Sequence, residues 1–221
     1  VANNALQKKV GYFAGNVYNL SKSAFEKTTQ QKKVLIVARK HYTEQWQTYS
    51  ALSLKELKAI LSLQISSNTD LRFIHQYFKN EEQDGFDVKT VTFSKELIQC
   101  IEENTVLIPE TELLSSVSSE RSAYRLATPI GELFWAKSEN KIHSVYRQGV
   151  LNTNQSFKMS IGYPDDVNVE ELDQSQYLQL LKYSLENISV SRLIKISSFT
   201  FKNTFDFKLL HSLYWGPTVS A

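Results

Sequence analysis

Cysteine is nearly absent: one residue, Cys100, in a chain of 221. That excludes an internal disulfide and any multi-cysteine metal site. Cys100 lies in "KELIQCIEEN", an amphipathic helical pattern, and reads as a buried, inert thiol. Glycine and proline are scarce, at seven and four, which argues against collagen-like repeats, linkers and long disorder. No uncharged run reaches the roughly 18 to 20 residues that a membrane-spanning helix needs. The longest, with histidine counted as neutral, is "LLHSLYWGPTVSA" at residues 209–221. The opening "VANNALQKKV" lacks both an initiating Met and the apolar core of a signal peptide. Both ends read as cut, and the chain as the soluble part of a longer protein.

Catalytic motifs are missing as well. Neither Gly-x-x-x-x-Gly-Lys nor Gly-x-Gly-x-x-Gly occurs, so no phosphate loop is supported. His41, His75, His143 and His211 are isolated, without metal-ligand spacing. His75 in "RFIHQYF" and His143 in "KIHSVY" fall at alternating strand positions and read as polar strand-face residues. The paired acids, such as Glu81-Glu82 and Glu170-Glu171, lie in turns or helix ends, where solvated surface is the default.

What is present is the balance of a globular protein, 42% hydrophobic and 22% charged. The net charge of +2 is unevenly placed. Residues 1–40 hold eight Lys/Arg against one acid, Glu26, and residues 192–221 hold four against Asp206, around an acidic middle. Basic ends suit anionic lipid or nucleic acid, but solvated faces give the same pattern. Three tryptophans, eleven tyrosines and twelve phenylalanines exceed what one core readily absorbs, and Tyr and Trp favour interfaces.

Along the chain, Leu6, Val10, Phe13, Val17, Leu20 and Ala24 recur at spacings of three and four, which favours a helix over residues 2–30. The rival is a hairpin of "KVGYF" and "NVYNL" turning at Ala14-Gly15-Asn16. "KKVLIVARK" is a buried strand. "SLKELKAILSLQ" is a helix with Ser53 as N-cap, Glu56 completing a capping box, and Leu54, Leu57, Ile60 and Leu61 as its stripe. "DLRFIHQYF" and "DVKTVTFS" alternate as strands around an acidic turn. Helix "SKELIQCIEEN", strand "TVLIP" and helix "ETELLSSV" follow. The serine-rich "SSVSSERSA" marks a boundary, dividing the chain into 1–118 and 119–221.

The second part opens with "YRLATPIGELFWAK" and "IHSVYRQGV", a hairpin turning at Ser138–Lys141. "DQSQYLQLLKYSLENI" is a helix capped by Asp173, with Tyr177, Leu180, Leu181 and Leu185 on one face. In "FDFKLLHSLYW", Phe207, Leu210, Leu213 and Tyr214 form a helical stripe expected to dock on the second part, leaving Trp215 exposed.

A hairpin of this kind opens several nucleotide-handling folds, whose reactive residues can be sought. A DNA-alkyl transferase needs a nucleophilic cysteine, and Cys100 stands outside this part with glutamates beside it. A ribonuclease-H-like nuclease needs a mid-strand carboxylate and partners for two metals, yet "ELFWAK" places Phe134 and Trp135 there and leaves only Glu132. An actin-like ATPase needs Gly- and hydroxyl-rich phosphate hairpins, and no Asp-x-Gly-Ser/Thr pattern occurs. The scaffold is legible without the reactive groups.

Two stretches, "NTVLIPETELLSSV" and "YRLATPIGELFWAKSENKIHSVYRQGV", resemble the strand–helix and hairpin of the cytoplasmic actin-like domains of bacterial envelope assembly systems. These are the L-type component of type II secretion and the PilM- and MshI-like proteins of type IV pili. The resemblance implies an α/β fold of two ribonuclease-H-like or actin-like lobes, with mixed sheets flanked by helices. It further implies a catalytically silent scaffold at the cytoplasmic face of the inner membrane, joined to the membrane through a segment outside this sequence. No cofactor is expected, since the nucleotide motif of the PilM-like branch is missing. The expected partners are protein subunits, including further copies of the chain, through Trp46, Trp135, Tyr146, Arg147, Tyr214 and Trp215. Nucleic acid is the alternative partner, through the basic N-terminal region and "KKVLIVARKHYTEQW".

Overall fold

The computed structural model describes residues 9–198 except 22, 51, 67–70, 120, 139–140, 148–157 and 159–165. Strands β1 (Val10–Phe13), β2 (Val17–Leu20), β3 (Phe25–Lys27) and β4 (Val34–Val37) come first. A 3-10 turn, Arg39–His41, leads into β5 (Tyr42–Ser50), helix α1 (Leu54–Ser66), β6 (Phe73–Asn80), β7 (Gly85–Phe93) and α2 (Lys95–Gln99). Then follow β8 (Val106–Pro109), α3 (Glu110–Ser115), β9 (Ala123–Thr128), β10 (Gly131–Ser138), β11 (Lys141–Arg147), β12 (Val169–Leu172), α4 (Gln174–Asn187) and α5 (Val190–Ile196).

The strands form three sheets. The first, ordered β3-β2-β1-β4-β8, runs two antiparallel hairpins and then two strands parallel to β1. The second, β11-β10-β9-β12, repeats that wiring: two hairpins, then β12 parallel to the first strand on its free side. The third, β5-β7-β6, is antiparallel and is inserted between β4 and β8. The result is a mixed α/β fold with helices packed on its sheets.

Strands β1, β4 and β8 are buried at every position, so "VLIV" and "VLIP" read as continuous apolar runs rather than alternations. On one face of the first sheet, Val10, Tyr12, Ile36 and Ile108 share a core with Trp135 of β10 and Tyr177, Leu181 and Leu185 of α4. On the other face, Phe13, Leu35, Val37 and Leu107 pack against Tyr42, Ile74, Val91 and Phe93 of the third sheet. Helix α4 begins as its sequence requires. Asp173 Oδ1 accepts from the Gln176 N–H at 2.8 Å, and Gln176 Oε1 accepts from the Asp173 N–H at 2.9 Å, completing a capping box. Ser53 and Glu56 do the same at the start of α1.

The described N-terminal residues form the hairpin β1–β2, not the favoured helix. The spacing of three and four arises because β1 is a central strand that buries neighbouring side chains on both faces. Gly15 takes φ +78°, and Phe13 stands opposite Val17 across a turn through Ala14, Gly15 and Asn16. Cys100 is exposed rather than buried, because α2 ends at Gln99 and the thiol lies just beyond it. In α1, Leu57 and Leu61 are buried, while Leu54 and Ile60 face outward. The segment "YTEQWQTYS" is a nine-residue strand whose mostly exposed side chains gave no alternating signal. The stripe of residues 205–215, with Leu210, lies outside the described residues.

A Cβ at position 15 would make only an ordinary contact, with His41 at 3.9 Å, so the left-handed backbone is what penalises a side chain there. Gly15→Ala should therefore lower stability by about 1 kcal/mol, read as a lower Tm. A rise in Tm would contradict the turn.

Candidate functional site

Residues Glu110, Thr111 and Glu112, at the start of α3, are polar yet 0%, 0% and 1% exposed. Each engages a different part of the molecule. The Glu110 carboxylate accepts from Tyr12 of β1 at 2.7 Å, from Tyr177 of α4 at 2.5 Å, and from the Arg39 backbone N–H. Thr111 shares a 2.8 Å hydroxyl contact with Tyr42, donates to Glu44 at 3.0 Å, and accepts at its carbonyl from Trp135 Nε1 at 3.3 Å. Glu112 reaches the third sheet, as the centre of a buried charge cluster.

In that cluster the Lys89 ammonium of β7 lies 2.5 Å from Glu112 and 3.2 Å from Glu44 of β5. Gln76 of β6 donates to Glu112 at 3.0 Å, and Arg192 of α5 lies 3.5 Å from it. Two carboxylates and two cations balance, as burial demands. The outer surface of the cluster is aromatic. Trp46, 50% exposed, stacks obliquely on Phe78 with centroids 5.2 Å apart, and the Lys89 ammonium lies 6.0 Å from its ring.

Two cavities meet at Trp46 and Ile142, beneath the β10–β11 hairpin. One, of ≈ 400 Å³, opens onto Lys89, Glu112, Lys137 and Arg192. The other, of ≈ 580 Å³, runs between β5 and β11 past Glu44, Thr48 and Asp87. The site thus offers an exposed aromatic pair over compensated charge.

Of the residues expected to bind partners, the four that are described do not assemble into one surface. Trp46 is at the site. Trp135 is fully buried, stacked on Tyr124 at 5.4 Å and bonded to Thr111, so it is a core residue and not a contact for a partner. Burial corrects that expectation: an aromatic on "ELFWAK" points inward because β10 lies between β9 and β11 over α3. Tyr146 is half-buried, with its hydroxyl on the Ile130 carbonyl, and Arg147 is exposed at the end of β11 opposite Glu132. Tyr214 and Trp215 lie outside the described residues. Phe78, Lys89, Gln76, Glu44, Glu112 and Arg192 went unread. The available signal was Lys89, which is in phase with Val91 and Phe93 on the inward face of β7.

The cations of the basic stretch "KKVLIVARKHYTEQW" are placed differently from one another, and Lys40 is exposed. Lys32 is buried against Gln30, Lys33 pairs with Glu102 at 3.4 Å, and Arg39 holds Ser144 and the Tyr42 carbonyl.

Burial raises the Glu110 carboxyl above its ordinary 4.5, against the opposing pull of Tyr177, Tyr12 and the Arg39 N–H. The folded state then keeps its proton where the unfolded chain has lost it. The contribution to stability is complete below the ordinary value and declines as pH rises through the raised one. As pH rises above the ordinary carboxyl value, Glu110→Gln should gain Tm relative to the unsubstituted protein; a constant difference would show that the Glu110 carboxyl is not raised in the folded state. Separately, Lys89→Met strands Glu44 and Glu112 in the interior and should cost about 3 to 5 kcal/mol in chemical denaturation. A loss below about 1 kcal/mol would mean water reaches the cluster.

Among proteins of known structure, the chain is similar to the cytoplasmic domain of EpsL, an inner membrane component of the type II secretion system of Vibrio cholerae. That match has 12% identity and a TM-score of 0.40, and covers 68% of this chain and 72% of the other. It is also similar to a chain of the PilM-PilN type IV pilus biogenesis complex, at 8% identity and a TM-score of 0.39, covering 69% and 67%. These are the two kinds of protein that its residue patterns resemble. No protein-family model and no curated protein matches it.

Proposed function

We propose that this chain is a non-catalytic interaction domain of a membrane-associated assembly system of the secretion or pilus type, built on two ribonuclease-H-like lobes. The repeated strand order of the first two sheets supports the two-lobe reading. The observation that carries the functional one is the filling of the space between those sheets. Tyr12, Tyr177 and Trp135 occupy it, each 0% exposed. Glu110, a carboxylate buried there, has both oxygens engaged by protein donors. A site for phosphoryl chemistry needs acids free to hold Mg²⁺ and backbone N–H groups turned to phosphate. Here the acid is committed to holding the sheets together.

Surface for partners lies instead at the groove around Trp46, where an aromatic pair is already exposed over fixed charges. Exposed tryptophan and phenylalanine surrounded by compensated polar groups fit the composition of protein-binding surfaces. No helix among the described residues is long and apolar enough to cross a membrane. Attachment to the inner membrane, with the domain on its cytoplasmic face, would run through other chains or other segments.

Two measurements test the reading. Calorimetry with ATP and Mg²⁺ should give no saturable binding, and micromolar affinity would overturn the non-catalytic assignment. Fractionation of cells expressing the protein from its own locus should place it with the inner membrane in a complex with other subunits. A monomer free in the soluble fraction would overturn the assembly role.

A further inference from the structure

Among the described residues, strand β5 is an edge of its sheet. It pairs with β7 over nine residues, from Tyr42–Phe93 to Ser50–Gly85, with no bulge. Among the described residues no strand lies on its other side. The phase of its backbone is set by the Ser94 N–H, which donates to the His41 carbonyl at 2.9 Å. In an antiparallel ladder such bonded pairs recur at every second residue. Thr43, Gln45, Gln47 and Tyr49 therefore turn their backbone groups to β7, and Tyr42, Glu44, Trp46, Thr48 and Ser50 turn theirs outward. The Tyr42 carbonyl agrees with this phase: it is taken from outside the sheet by Arg39 Nη1 at 2.7 Å. Glu44, Trp46 and Thr48 remain as the central outward positions.

Edge strands are usually blunted by lysine, proline or a bulge. "YTEQWQTYS" has none of these and one charge, Glu44. The ≈ 580 Å³ groove lies between this strand and residues 141–145 of β11, and β11 is not paired with it.

The strand also matches its own reverse. Centred on Trp46, an antiparallel copy sets Glu44 against Thr48, Gln45 against Gln47, Thr43 against Tyr49, and Trp46 against Trp46. The outward positions 44, 46 and 48 then meet 48, 46 and 44, all in hydrogen-bonding phase. The only charge meets a hydroxyl, and its carboxylate is already held by Lys89 at 3.2 Å. Centring on Gln45 would instead set Glu44 against Trp46 and would call on the occupied Tyr42 carbonyl. The two indoles, half exposed in one copy, cover each other in the Trp46-centred pair.

We propose that β5 pairs with β5 of a second copy about a two-fold axis at Trp46, joining the two three-stranded sheets into one continuous sheet. This rests on strand geometry alone and is independent of whether the chain binds nucleotide.

The experiment is light scattering over a dilution series of the unsubstituted protein and of Thr48→Pro. Proline at 48 removes an outward N–H and leaves the ladder to β7 intact. The unsubstituted protein should shift from dimer to monomer on dilution, whereas Thr48→Pro should stay monomeric with a Tm within a few degrees. The register is read by single cysteines in a Cys100→Ser background, since Cys100 is itself exposed. Across a hydrogen-bonded pair the Cα atoms are about 5.5 Å apart, within disulfide range. Trp46→Cys should therefore cross-link on mild oxidation, and Gln45→Cys and Gln47→Cys should not. A protein monomeric at every concentration, a Thr48→Pro dimer, or cross-linking at 45 or 47 in place of 46 would each overturn the proposal. Slow amide exchange at residues 44, 46 and 48 in a monomeric sample would also overturn it, by showing that another segment of the same chain covers the edge.

Discussion

Three consecutive side chains hold this fold together. Where β8 ends, the backbone turns into α3 and presents Glu110, Thr111 and Glu112, all buried and all polar. A buried polar group costs free energy unless it is bonded, so each of the three dictates what must lie beside it. Glu110 requires donors, and the hydroxyls of Tyr12 and Tyr177 bring the first sheet and α4 to it. Thr111 ties Tyr42 to Trp135, and with them the third sheet to the second. Glu112 requires a cation, and Lys89 supplies it from the centre of the third sheet. Three sheets meet at one turn of helix because the polar groups there leave no other arrangement satisfied.

Apolar packing alone would not specify this. The cores on the two faces of the first sheet are mostly Val, Leu and Ile with aromatic rings among them, and such side chains tolerate repacking. Bonds to Glu110 and Glu112 do not: a shift of one residue in β7 would replace Lys89 by Val88 or Thr90 beneath two carboxylates. Buried ion pairs add little net stability, but breaking one is expensive. The cluster therefore acts mainly to fix the register of the inserted sheet on the rest. That register in turn sets Trp46 over Lys89 and places β5 at the edge of its sheet.

How much of this was legible in the residues follows from which signals survive one-dimensional reading. The helix caps at Ser53, Ser94 and Asp173 were legible because capping is decided within four residues. "VLIV", "VLIP" and the β10–β11 hairpin were legible because buried strands are locally apolar and turns locally polar. The N-terminal hairpin was misjudged: in a strand buried on both faces, neighbours such as Tyr12 and Phe13 are both inside, and the alternation that distinguishes strand from helix disappears. Strand β5 was missed for the opposite reason, since an exposed edge selects for nothing periodic. The polar cluster was out of reach, because Glu44, Lys89, Glu112 and Arg192 are far apart in the chain. A lysine in phase with Val91 and Phe93 was its one local trace.

The same constraint explains where this molecule can act. In a two-sheet α/β arrangement the interval between the sheets is the natural place for a ligand, because strand ends and helix termini converge there. Here that interval holds buried aromatic rings and a carboxylate whose oxygens are both engaged, and under the proposed function binding therefore lies at the periphery. At the periphery, unsatisfied backbone on an edge strand is the most directional feature a protein can offer, since it specifies orientation and register before any side chain is considered. The third sheet brings both requirements together. Its inner half is locked to α3 by charge, and its outer strand has no neighbouring strand among the described residues. Rigidity on one side is what makes the open edge a defined template, because an edge able to shift in register would pair with many strands and select none.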